Sequence, residues 1–290
     1  AAKAGFDVIN QSLSSKGTAQ EKPEAIVVAT VKGEPHDLRV LVDCANGAAS
    51  VTAQRLFNRY DMDVSYINDR PDGTNINVDC GSTHLGQLKE RVRRGNFDLG
   101  VAFDGDADRC LIVDETGEEL DGDRIMAVCA AHMKKQGKLR GGAFVATILS
   151  NMGLHAYAEK NGMKIECSNV GDRYVLEMML KKGYILGGEQ SGHVIFLEYA
   201  STGDGELTAL QFMSILKESG RKCSEIAAEV VPWPQVMINV KVPNDQKAEF
   251  GKTINGAKEW ANQFFDELDQ KLKEKEQQQR YESEKIDISM

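Results

Sequence analysis

Nowhere in the 290 residues does an uninterrupted apolar run approach the ~18–20 residues that a membrane-spanning helix needs. The opening stretch Ala1-Ala-Lys-Ala-Gly-Phe6 also lacks the apolar core of a secretory leader, so the chain is expected to be soluble and cytoplasmic, with no membrane partner. It starts without methionine, which points to processing or to an excerpt of a longer chain. The six cysteines include no C-x-x-C pair and sit mostly inside apolar runs, as reduced core thiols do. Positive charge is short as well: 35 Lys and Arg against 44 Asp and Glu leave a net charge of −9. Binding to a nucleic-acid backbone draws on clustered cations that displace counterions, so no nucleic-acid partner is expected. Also missing are G-x-x-x-x-G-K-[ST], G-x-G-x-x-G after a strand, H-E-x-x-H and the G-x-S-x-G elbow, which removes many default enzyme classes.

What is present is a run of alternating carboxylates, Asp104-Gly-Asp-Ala-Asp-Arg109, between the apolar stretches Phe97–Phe103 and Cys110–Val113. The flanks read as buried strands, so the loop sits at a strand end. If its backbone stays extended, Asp104, Asp106 and Asp108 point the same way, because side chains alternate with period two. Three like charges that close repel one another, and a hard divalent cation relieves this. All-oxygen ligands favour Mg²⁺, with Ca²⁺ and Mn²⁺ as competitors. An EF-hand is a poorer fit, since Arg109 replaces the turn glycine and the flanks are strands. A solvated acidic turn in which Gly105 supplies a positive φ is the bland alternative.

Gly187-Gly-Glu-Gln-Ser-Gly-His193 follows another predicted strand. Its glycines let backbone approach a ligand while Glu189 and Ser191 can hydrogen-bond hydroxyls, as polyol recognition requires; the alternative is a tight turn with His193 exposed. Val170-Gly-Asp-Arg-Tyr174 opens a helix, with Asp172 as a candidate N-cap and Arg173 as either a surface charge or part of an anion site at the helix start.

Periodicity divides the chain into strand, helix, strand, helix, strand from Leu38 to the aspartate loop, then a second such series from Arg124 to Ser219. The first includes a helix over Val51–Tyr60 with Val51, Leu56 and Phe57 on one side. The fold class is therefore α/β: two consecutive α/β domains, each a mixed sheet with flanking helices, plus a strand and a charged helical C-terminal tail. The expected limits are a linker or partial helix over 1–36, domains at 37–118 and 119–231, and a truncated or replaced terminal segment at 232–290. The second boundary rests on the polar stretch Asp114-Glu-Thr-Gly-Glu-Glu119.

Taken together with Asp43-Cys-Ala-Asn-Gly47, Pro71-Asp-Gly-Thr-Asn75 and Cys80-Gly-Ser-Thr-His84, these segments resemble the α-D-phosphohexomutases, and within them the bacterial phosphoglucosamine mutase branch. The resemblance covers about residues 37–231, the two middle domains of that family. It implies Mg²⁺ held by Asp104, Asp106 and Asp108, Arg109 beside the reacting phosphoryl group, and Glu189, Ser191 and His193 around a hexosamine phosphate, with Asp172 and Arg173 nearby. It also implies a phosphoserine that gives its phosphoryl group to glucosamine 6-phosphate through a bisphosphate intermediate. The family's T-A-S-H-N-P-like serine loop and R-x-S-G-T-E-P-like phosphate loop have no counterpart in the 290 residues, where Ser14, Ser15 and Ser50 lack that context. Little activity is therefore expected of this chain alone, unless a partner chain or further segments supply both loops. The competing expectations are a residual Mg²⁺ and sugar-phosphate binder, a phosphomannomutase or phosphoglucomutase, and an aspartyl-phosphate phosphatase. The last would need a lysine and an acidic loop that the sequence does not place.

Overall fold

The computed structural model describes residues 35–235, the greater part of a compact unit that ends at Gln235. The expected linker up to residue 34, the strand beginning at Gln235 and the charged helical tail fall outside the described residues.

Two sheets carry the fold. The first contains β1 (Arg39–Asp43), β2 (Asp63–Ile67), β3 (Leu99–Phe103), β4 (Cys110–Asp114) and β5 (Glu119–Leu120), in the spatial order β2-β1-β3-β4-β5. β1 runs parallel to both β2 and β3, whereas β3, β4 and β5 are joined as antiparallel hairpins. The second contains β6 (Ala143–Thr147), β7 (Lys164–Ser168), β8 (Leu186–Gly188) and β9 (Val194–Phe196), in the order β7-β6-β8-β9. Again the first strand is parallel to its two neighbours and the last pair is antiparallel. Each series thus reverses strand order beside its first strand, the arrangement that opens a ligand crevice at strand C-termini.

The helices are α1 (Ala49–Phe57), α2 (Gly86–Gly95), α3 (Gly122–Lys135), α4 (Met152–Lys160), α5 (Asp172–Lys182), α6 (Gly205–Ser219) and the short α7 (Cys223–Ala227). In α1 the buried stripe is Ala49, Ala53, Leu56 and Phe57, at helical spacing. Val51 lies off that stripe and is 52 % exposed, so it does not share the apolar side expected for it. Left-handed residues end three helices, Asn96 after α2, Gly183 after α5 and Gly220 after α6.

β3, β4 and β6 are buried along their whole length, as strands covered on both faces must be. The cover between the sheets is shared. α3 packs on β4, β5, β6 and β8 and on α6, which in turn packs on β3 and β4. Accordingly one apolar cluster runs from Val40, Phe57 and Phe103 through Ile125 and Met126 to Phe144, Leu210 and Phe212.

The polar stretch read as a boundary is the β4–β5 turn. Asp114 Oδ1 accepts hydrogen bonds from the N–H groups of Thr116 (2.9 Å) and Glu118 (3.0 Å), and β5 extends the first sheet to Leu120. Five cysteines are buried as expected of core thiols, while Cys167 is exposed.

Candidate metal and sugar-phosphate site

The aspartate loop joins β3 to β4. Its carboxylates do converge, each offering an oxygen such that all three lie within 4.8 Å of one another. An extended backbone is not the cause. Ala107 N–H donates to Asp104 O (3.2 Å), closing a turn, and Ala107 takes a left-handed φ of 63°. A non-glycine residue in that region is uncommon and costs about 1–3 kcal/mol, which the surroundings must offset. They do so by hydrogen bonding, since Gly205 N–H donates to Ala107 O at 2.9 Å. Gly105 is not among the residues with positive φ.

Charge is concentrated here. Burial, followed by the charges of Asp108 and Asp106, pushes Asp104 up to about 6, against the lowering effects of the Arg109 backbone N–H and guanidinium. Arg109 is the cation at hand, its Nε lying 3.6 Å from Asp104 Oδ2 and 3.8 Å from Asp108 Oδ1. That nitrogen is buried and makes no hydrogen bond. Three hard oxygen donors converging on one turn, with Asp106 open to solvent, fit a divalent cation.

The glycine-rich loop joins β8 to β9 and lies against the aspartate loop. Arg109 and His193 form an antiparallel β-bridge, and Cys110 N–H donates to Gly192 O at 3.0 Å. Gly192 has φ 96° and sits so close to β4 that a Cβ there would be 2.5 Å from Cys110 O. His193 is 3 % exposed, against the alternative that left it exposed on a tight turn. Its Nδ1 lies 3.1 Å from Asp108 Oδ2, and its Nε2 accepts from Gly203 N–H at 3.0 Å.

Glu189 is half-buried, and its Oε1 accepts from Gly171 N–H (2.8 Å), tying the loop to the start of α5. Ser191 is exposed. Asp172 is the first residue of α5 rather than its N-cap, which is Gly171. Arg173 is exposed and pairs with Glu177 at 2.9 Å, one helical turn on. The structure thus gathers Asp104, Asp106, Asp108, Arg109 and His193 around one point, with Glu189 and Asp172 linked through Gly171.

Two supporting segments escaped the sequence reading. Asp121 caps α3 by accepting from Arg124 N–H (3.0 Å) and also accepts from Gln190 Nε2 (3.0 Å). The adjacent Gly122 N–H donates to Gln190 O (2.9 Å), and a Cβ at Gly122 would stand 2.0 Å from Glu189 O. Likewise Gly203-Asp204-Gly205 leads into α6, with Asp204 as its cap. The available signal was the pattern Asp-Gly before an apolar helical run, which marks a cap.

Comparison with known proteins gives the site a context. The profile for phosphoglucomutase/phosphomannomutase, alpha/beta/alpha domain II, matches residues 20–117, and that for alpha/beta/alpha domain III matches residues 121–232. The phosphoglucosamine mutase of Acetivibrio thermocellus is 49 % identical over 244 residues, which is 83 % of this chain and 54 % of that protein. The chain belongs to the α-D-phosphohexomutase family. A second phosphohexomutase relative, the phosphoglucosamine mutase of Clostridium acetobutylicum, is 50 % identical over 230 residues, 79 % of this chain and 51 % of its own. The chain spans about half the length of the curated relatives it matches. Among solved structures, a phosphoglucomutase/phosphomannomutase family protein from Burkholderia thailandensis shares the fold with a TM-score of 0.64 at 22 % identity, over 71 % of this chain and 45 % of that one. Aspergillus fumigatus N-acetylphosphoglucosamine mutase in complex with GlcNAc-6P and magnesium gives a TM-score of 0.62 at 23 % identity, over 77 % and 55 %. A further profile, the class II aminoacyl tRNA synthetase N-terminal domain, matches residues 240–281, outside the described residues.

Proposed function

We propose that this chain is the metal- and sugar-binding part of a phosphoglucosamine mutase, the enzyme that interconverts glucosamine 6-phosphate and glucosamine 1-phosphate through a bisphosphate. Asp104, Asp106 and Asp108 hold Mg²⁺, and Arg109 stands beside the transferring phosphoryl group. Glu189 and Ser191 meet sugar hydroxyls, with Asp172 and Arg173 at the edge of the same crevice. When bound, the divalent ion offsets charge that builds on the phosphoryl oxygens. Arg109 adds a fixed positive charge on the same side, and β3, β4 and β9 hold it in register with the aspartates.

The observation that carries this reading is the direct junction of the two loops, through the Arg109–His193 bridge and the Cys110-to-Gly192 hydrogen bond. It sets a charge-rich phosphoryl site against a loop suited to hydroxyls. Hexosamine as the sugar is supported by the relatives' common name, phosphoglucosamine mutase.

The serine loop that the family resemblance implies has no sequence counterpart in the 290 residues. Ser50 is buried within the first turn of α1, and Ser14 and Ser15 lie outside the described residues. The 290 residues alone therefore bind Mg²⁺ and hexosamine phosphate with little turnover. The test is to incubate the purified chain with Mg²⁺, glucosamine 6-phosphate and a trace of the bisphosphate, and to follow 1-phosphate formation beside Mg²⁺ calorimetry. Mg²⁺ binding that Asp106→Asn weakens by roughly tenfold or more, with negligible turnover, is expected. Turnover sensitive to Asp106→Asn would sink the prediction of inactivity, and an absence of Mg²⁺ binding would sink the metal assignment.

A further inference from the structure

The glycine-rich loop turns Gln190 toward α3 and commits both its main chain and its side chain there. Gln190 O accepts from Gly122 N–H (2.9 Å), and its Nε2 donates to Asp121 Oδ2 (3.0 Å). The other oxygen of that carboxylate, Oδ1, accepts from Arg124 N–H at 3.0 Å and caps the helix. One carboxylate thus closes the first turn of α3 and grips the loop at once. So close an approach needs Gly122, where a Cβ would stand 2.0 Å from Glu189 O and 2.7 Å from Gly192 N.

Gly192 N–H donates to Glu189 O (3.0 Å), so Glu189, Gln190 and Ser191 ride on one hydrogen-bonded turn with glycine on either side. Backbone flanked by glycine reorients easily, and a turn left unheld has to be ordered when a ligand binds, at a cost in affinity. Here it is pinned twice. Gln190 ties it to α3, and Glu189 Oε1, accepting from Gly171 N–H at 2.8 Å, ties it to the start of α5. The α3 anchor is firm, because Gly122, Asp123, Ile125 and Met126 of that helix are buried.

We infer that Gln190 is a positioning residue for the sugar: clasped by Asp121, it holds the turn in the pose that presents Glu189 and Ser191 to the hydroxyls of the hexosamine phosphate. This role depends on Glu189 and Ser191 meeting the sugar, as proposed above. A hydrogen bond to a carboxylate is roughly twice as strong as one between neutral groups, and the helix cap has already ordered this acceptor. With its amide turned to α3, Gln190 acts through its neighbours and not by touching the ligand.

The test measures glucosamine 6-phosphate and Mg²⁺ affinity by calorimetry in the full chain for wild type, Gln190→Met, Asp121→Ser, their double variant and Asp121→Asn. Serine still caps a helix but is too short to reach Gln190, whereas asparagine caps equally well and offers an amide that a turned-round Gln190 amide can meet. Gln190→Met, Asp121→Ser and the double variant should lose sugar-phosphate affinity to the same extent, roughly fivefold or more, while Asp121→Asn stays within about twofold of wild type. Mg²⁺ affinity should hold within about twofold throughout, because the Arg109–His193 bridge is left alone. Wild-type sugar affinity in Gln190→Met and Asp121→Ser overturns this role. Losses that add in the double variant also overturn it, as does a parallel fall in Mg²⁺ affinity, which marks general damage to the fold. If Asp121→Ser does not fold, Gln190→Met against Asp121→Asn decides. If the wild type binds no glucosamine 6-phosphate, the sugar reading of the loop is what fails, and hydrogen exchange at the Glu189 and Gly192 amides still judges the clasp. Faster exchange in Gln190→Met and Asp121→Ser but not in Asp121→Asn is expected, and equal exchange in all of them refutes it.

Discussion

Asp106 is the exposed member of the carboxylate trio, so its replacement tests ion binding with the least disturbance to packing. Asp106→Asn should reduce Mg²⁺ affinity by roughly tenfold or more while shifting stability within about 0.5 kcal/mol, read by calorimetry and by urea unfolding. Asp123 is the opposite case, a carboxylate only 2 % exposed near the start of α3. Burial pushes it up to about 6, over the lowering effect of the Asn151 N–H that donates to Oδ2 at 2.6 Å. Between pH ~4 and ~6 the folded chain then binds more protons here than the unfolded chain, so this residue's stabilisation is complete at low pH and fades as pH rises through 6. Asp123→Asn keeps an acceptor for Asn151 and removes the titration. Urea unfolding at pH 5 and pH 7.5 should show the wild type losing about 1–3 kcal/mol more than the variant between the two. At this scale the sequence showed which carboxylates meet but not how they are held. Asp104, Asp106 and Asp108 meet as expected, yet through a strained turn at Ala107, because local alternation says nothing of a distant hydrogen-bond donor such as Gly205.

Among the elements, α3 bears most directly on the crevice, because its first turn is built against the glycine-rich loop. Gly122→Ala would drive a methyl into Glu189 O, and backbone cannot yield as a flexible side chain can. A loss of about 1–3 kcal/mol in stability is expected, with weaker glucosamine 6-phosphate binding, measured by thermal unfolding and calorimetry. Most elements were legible in outline, since long amphipathic or apolar runs dominate them. β8 was not fully placed: a strand was expected to end before Gly187, and it forms at Leu186–Gly188, inside the glycine-rich segment. Gly187 and Gly188 have poor strand propensity, but pairing with β6 and β9 overrides it. The two-residue β5 and five-residue α7 are too short for any period to reveal.

For the molecule as a whole, the shared helical layer predicts a single cooperative transition over residues 35–235. Phe212 on α6 is fully buried in the cluster that includes both Val40 and Phe144. Phe212→Ala should cost about 3–5 kcal/mol and lower the opening free energy of β1 and β6 amides alike. Hydrogen exchange measured strand by strand would contradict this if β1 lost protection while β6 kept it. The two-layer organisation was readable from alternating periods, but their common core was not, because α3 and α6 show their second apolar contact only once both sheets exist. Recombination feels the same constraint. A chimera that took its aspartate loop from one mutase and its glycine-rich loop from another would have to reproduce the Arg109–His193 seam and the α3–α6 filling at once, so these two layers are expected to be inherited, and to be engineered, as one cassette.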